Sequence, residues 1–199
     1  MGMKLAALFF SMTFVNNYVL VKFLGICPFL GVSKKLDSSV GMSVAVTFVM
    51  IMATAVTWPI YTYILVKYHL EYLSTICFIL VIAALVQLVE TILKKYIPAL
   101  HRALGVYLPL ITTNCAILGV TLLNIESGYN FIESIVSSLG AGVGFLIAMV
   151  IFSGVRSTVE RAQPPKSFEG LPITLIAASM VSMSFMGFGG IIESIFGTF

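Results

Sequence analysis

The chain has 199 residues, of which 59% are hydrophobic and only 10% charged. Soluble domains carry about 25% charged residues, so this composition excludes an ordinary soluble enzyme or binding module and points to a protein whose solvent is lipid. A formal net charge of +3 is too small to mark a nucleic-acid surface, which leaves the lipid bilayer and other proteins as partners and no nucleic acid.

The first apolar run covers about residues 5–32. It is far longer than the hydrophobic region of a secretion signal and has no polar cleavage region, so it is expected to stay in place as a span. It contains Lys22, then Gly25-Ile26-Cys27-Pro28 and Gly31. Proline lacks a backbone donor and glycine weakens a helix, so this span is predicted to break or kink near the thiol. After Ser33-Lys34-Lys35-Leu36-Asp37 come a second run at about 39–66 and a third at about 72–93, which carries Cys77, Gln87 and Glu90. The fourth run, about 103–124, contains Gly105, Pro109, Thr112-Thr113-Asn114-Cys115 and Gly119, and is predicted to be broken like the first. The fifth and sixth runs lie at about 131–155 and 171–192, and the sixth ends in Phe185-Met186-Gly187-Phe188-Gly189-Gly190. A span needs about 20 apolar residues, which makes this an all-α integral membrane chain of six transmembrane helices. The connections are short and leave no room for a soluble domain, so residues 1–199 read as a single membrane domain.

Cys27-Pro-Phe-Leu-Gly31-Val32 and Cys115-Ala-Ile-Leu-Gly119-Val120 repeat a C-x-x-L-G-V pattern 88 positions apart. The pattern divides the chain into two three-helix repeats, about 1–95 and 96–199. The connections after spans one, three and five carry eight Lys and Arg, whereas the opposite face carries only Lys4 and Lys67. That bias puts the odd connections in the cytoplasm and both termini on the outer face. With three spans per repeat, the second repeat must be inverted relative to the first, the architecture of transport proteins with a midplane site at the repeat interface.

Symmetry places one thiol per repeat, with a glycine four residues on and therefore on the same helix face. A lone membrane cysteine is ordinarily a small packing residue. The duplication and the flanking helix breakers instead make Cys27 and Cys115 candidate metal or redox ligands, while Cys77 has neither feature and reads as packing. Two thiolates complete neither an iron–sulfur cluster nor a tetrahedral zinc site. The missing pair would come from a second copy or from a paralogous chain. Lys22 and Glu90 each cost about 2.5–3.5 kcal/mol at a helix centre. Each is therefore an ion-pathway candidate, although Glu90 also lies one turn from Lys94 and could simply snorkel to it. Asn16, Asn17 and Asn114 suit hydrogen bonds between helices. Asn114 is also placed among the ion-path or coupling positions, as are Gly31 and its counterpart in the second repeat, Gly119. A competing class is a small inverted-repeat transporter or channel without a redox centre, its substrate lined by Lys22, Glu90 and Asn114.

Residues 21–35, Val21-Lys-Phe-Leu-Gly-Ile-Cys27-Pro-Phe-Leu-Gly-Val-Ser-Lys-Lys35, and 108–116, Leu108-Pro-Leu-Ile-Thr-Thr-Asn-Cys115-Ala116, resemble the two signature segments of the RnfA/RnfE and NqrD/NqrE family, in its Rnf branch. These are membrane subunits of ion-translocating ferredoxin:NAD and NADH:quinone oxidoreductases, and the resemblance runs over essentially the whole chain. It implies an intramembrane [2Fe-2S] cluster held by Cys27 and Cys115 together with two cysteines of an inverted, RnfE-like partner. It further implies electron relay between subunits that carry flavin and iron–sulfur centres, coupled to Na⁺ or H⁺ movement across a prokaryotic inner membrane. Cys77 has no counterpart in that pattern.

Overall fold

The computed structural model describes residues 2–33, 36–69, 71–96, 114–161, 165 and 170–196. Every regular element among them is helical. Helix α1 (Gly2–Phe10) widens into a π-helical turn at Ser11–Val15 and stops; α2 (Ile26–Val32) follows after an irregular stretch. Next come α3 (Leu36–Ile60), α4 (Ser74–Tyr96), α5 (Cys115–Glu126), α6 (Phe131–Arg161) and α7 (Leu171–Phe196). Among the described residues three helical stretches, Ser38–Leu65, Ser74–Ile92 and Phe131–Val159, are long and apolar enough to cross a membrane. Shorter apolar helices occupy Lys4–Val15, Cys115–Glu126 and Leu171–Gly187. The first half of the fourth apolar run, with Gly105, Pro109, Thr112 and Thr113, lies outside the described residues.

Lipid is as apolar as leucine, so helices in a membrane associate through close packing and hydrogen bonds rather than through hydrophobic transfer. The central pair, α3 and α6, uses both. A Cβ on Gly142 would overlap Thr47, so the backbones approach there because glycine has no side chain. One turn and more away, the hydroxyls of Thr54 and Ser138 meet at 2.6 Å. Met42, Val46 and Met50 of α3 and Phe145, Met149 and Phe152 of α6 fill the seam and are buried. Helix α5 joins through Asn124, whose Oδ1 accepts from Ser137 at 2.7 Å. Proline at position 59 removes a helix donor near the end of α3, and the helix then widens into a π turn at Tyr61–Leu65. Large apolar side chains remain exposed along α4 (Ile76, Ile79, Leu80, Leu88) and α7 (Leu175, Ile176, Met180, Met183).

The break between α1 and α2 is the element that builds the site. Irregular backbone at membrane depth survives only if its polar groups find partners, and here they do. Asn17 is fully buried. Its Oδ1 accepts from the N–H groups of Val19 at 3.0 Å and Leu20 at 3.3 Å, and its Nδ2 donates to Thr13 O at 3.2 Å and Gly144 O at 2.9 Å. Thr13 adds a bond to Gly140 O at 3.2 Å, and Ser182 of α7 donates to Leu20 O at 2.5 Å. The predicted break is present, and of the expected breakers Gly25 takes part in it while Pro28 does not. Pro28 sits in the first turn of α2, where a missing N–H costs nothing, whereas Asn17 takes up the interrupted backbone and Gly25 adopts a left-handed φ of +89° just before α2. Phe23 also adopts a positive φ of 56°, which marks a strained position close to Cys27 in the chain.

Candidate functional site

Helix α2 begins one residue before Cys27 and α5 begins at Cys115, so both thiols stand at helix starts. The two segments abut. The Gly25 N–H donates to Cys115 Sγ at 2.9 Å across 90 residues of chain. A Cβ on Gly25 would meet Phe145 Cε2 at 3.0 Å, Ala116 Cβ at 3.2 Å and Asn114 Oδ1 at 3.5 Å, and the left-handed φ independently requires glycine there. Leu24 lies over Gly119, whose added Cβ would stand 2.5 Å from Leu24 Cδ1. The space that Gly119 leaves is therefore filled by Leu24, the residue next to Gly25.

Asn114 caps α5: its Oδ1 accepts the Ala116 N–H at 3.0 Å, and its backbone oxygen accepts from Ile117 at 3.1 Å. This is the preferred chemistry for a helix start. Asn114 is buried, Cys115 is half-buried and Cys27 is exposed. Gly31, Lys22 and Phe23 are exposed with Cys27 on the α2 side. The structure thus gathers Asn114, Cys115 and Gly119 against the segment that leads into Cys27. It leaves Glu90, half-buried, on the separate helix α4 along with Cys77; the side chain of Lys94 lies outside the described residues. Among the described residues no three His, Cys, Asp or Glu side chains gather as a metal site.

One residue that shapes the site is missed by sequence reasoning, in which Arg156 counts only as a loop charge. Its guanidinium is buried and donates to Leu30 O at 2.6 Å and Ser33 Oγ at 2.7 Å. These bonds take up groups at the C-terminal end of α2, and Phe29 stacks on Phe152 with ring centroids 4.0 Å apart. Together they hold the Cys27 half-helix on α6. The signal is present in the spacing: Phe145, Met149, Phe152 and Arg156 continue one helix face at steps of four and three.

These features define a helical membrane protein with an interrupted first apolar segment, in which the stretch leading into Cys27 meets the helix start at Cys115. The sequence matches the family described as "Rnf-Nqr subunit, membrane protein" over residues 5–192, and the chain belongs to that family. It is 56% identical over 188 residues to the A subunit of the Na(+)-translocating ferredoxin:NAD(+) oxidoreductase complex of Acetobacterium woodii, covering 94% of this chain and 98% of that one. It is 53% identical over 186 residues to the A subunit of the ion-translocating oxidoreductase complex of Serratia proteamaculans, covering 94% and 96%. The corresponding protein of Syntrophotalea carbinolica is 52% identical over 178 residues, covering 89% and 92%.

Proposed function

We propose that this chain is a membrane subunit of a redox-driven ion translocase of the ferredoxin:NAD oxidoreductase type, and that Cys27 and Cys115 supply half of the ligands of a [2Fe-2S] cluster. The relatives' names support the complex. The observation that supports the site is the Gly25 N–H bond to Cys115 Sγ, which ties one cysteine segment to the other. The donor set fits. Iron–sulfur clusters take cysteine thiolates, and N–H bonds to their sulfurs help to set the potential. Two thiols meet half of that requirement, and the exposure of Cys27 leaves the site open toward a paralogous, RnfE-like subunit that brings the other two. When bound, the cluster supplies one-electron relay between flavin and iron–sulfur centres of the other subunits.

In this reading the chain has six spans in two inverted repeats, with the first and fourth broken at their cysteines and both termini outside. Asn17, Ser182 and Arg156 keep the Cys27 half-helix in place by satisfying the interrupted backbone around it. Lys22 and Glu90 are the charged groups proposed along the route of Na⁺ or H⁺, and Gly31 and Gly119 are the small backbones proposed to permit movement beside the thiols. The test is electron flux from ferredoxin to NAD in membranes that hold the whole complex, with ion uptake measured alongside. Cys27→Ser and Cys115→Ser are expected to abolish both, since a hydroxyl is a poor iron ligand, while Cys77→Ser leaves them intact. Electron flux and ion uptake that both persist in Cys115→Ser would instead favour a transporter-like subunit in which the cysteines only pack.

A further inference from the structure

Among the described residues, the Nδ2 of Asn114 is a buried side-chain polar atom without a hydrogen-bond partner, in a residue only 4% exposed. The direction of the amide is fixed by its cap. Oδ1 receives the Ala116 N–H at 3.0 Å, and the reversed amide would set donor against donor. The free end is thus an NH₂ group, with hydrogens to give and no lone pair to offer. The amide stands beside the Gly25 segment. The Oδ1 of the same amide is 3.5 Å from where a Gly25 Cβ would be, and Gly25 donates to the sulfur of the adjoining residue, Cys115.

A buried donor left unmade is costly, so an acceptor is expected to reach it, either a water or a group bound beside it. A group that can only donate repels a cation and suits an anion. We propose that Asn114 donates a hydrogen bond to the anionic sulfurs of the group held at Cys115, and so sets how readily that group takes an electron. The proposal rests on the reading of Cys27 and Cys115 as iron–sulfur ligands. Reduction adds negative charge at the sulfurs, and a hydrogen bond to a charged acceptor is stronger than to a neutral one. The donor therefore favours the reduced state and raises the potential. Its removal is expected to weaken reduction roughly tenfold, about 59 mV for a one-electron couple.

The test is an EPR-monitored redox titration of the purified whole complex. Asn114→Ser keeps a short oxygen cap for α5 but has no amide donor, whereas Asn114→Ala has neither. Both are expected to fall in midpoint potential by a similar amount. A wild-type potential in Asn114→Ala, which has no side-chain donor at all, would overturn the proposal. A second measurement needs no variant: pulsed EPR on the unaltered complex carrying ¹⁵N in its asparagine side-chain amides. A ¹⁵N coupling to the reduced cluster is expected, and its absence would overturn the proposal even if the variants failed to assemble. Persistence of the cluster signal in Cys115→Ser would defeat the ligand assignment itself. A signal lost in Cys115→Ser but indifferent to Asn114 defeats only the donor.

Discussion

Replacing Asn17 by leucine removes the side chain that completes the break between α1 and α2. The shapes are close, so the change is chiefly one of polarity. Two N–H groups, of Val19 and Leu20, lose their acceptor, and both residues are almost wholly buried at 3% and 2% exposed. An unsatisfied buried donor costs about 1–3 kcal/mol. The lost bond to Gly144 O adds about 0.6 kcal/mol, typical of interhelical bonds in membranes. The sum is about 3–7 kcal/mol against a total stability of about 5–15 kcal/mol. Asn16→Leu is the control, because the Asn16 side chain makes a single long bond of 3.4 Å to Ser11 Oγ and should cost under about 1 kcal/mol. Unfolding of the two variants in mixed micelles, titrated with a denaturing detergent, gives the comparison. If Asn17→Leu unfolded within about 1 kcal/mol of the unaltered protein, the side chain would not be what holds this break in lipid.

Gly142→Val should separate α3 from α6, because even its Cβ overlaps Thr47; detergent stability should fall by about 1–3 kcal/mol, and Thr47→Ala in the same chain should restore part of it. Gly119→Val presses on the flexible end of Leu24, next to the Gly25 that bonds Cys115. That variant is expected to keep the cluster signal while lowering ions moved per electron, read from EPR and Na⁺ uptake on one preparation; an unchanged ratio would remove Gly119 from the coupling. A reporter fused after Phe199 should be active only on the outer face, given the eight-to-two division of Lys and Arg; activity confined to the cytoplasm would reverse the orientation.

The helical architecture was legible because long apolar runs with short polar connections allow little else in a membrane, and Ser38–Leu65, Ser74–Ile92 and Phe131–Val159 stand where runs two, three and five were expected. The break before Cys27 was legible too, since glycine and proline cluster there. Its agents were legible only in part. Pro28 has the stronger breaking chemistry in isolation but sits where a helix start tolerates it; the bond of Asn17 to Gly144 of α6 bears out its expected interhelical role, but that the same side chain also caps the broken backbone is a fact no local pattern carries. The meeting of Gly25 with Cys115 was hidden for the same reason, because 90 residues separate the partners. Arg156 shows the limit of charge counting. A loop-edge cation that counts toward topology proves to be the group that ties down the α2 carboxyl end.

The central claim, that Cys27 and Cys115 are ligands and not packing residues, is tested most directly by iron, acid-labile sulfide and the EPR spectrum of the purified whole complex. The unaltered complex and Cys77→Ser should contain one more [2Fe-2S] cluster than Cys27→Ser or Cys115→Ser, with the other centres unchanged. Equal iron, sulfide and spectra in all four preparations would contradict it.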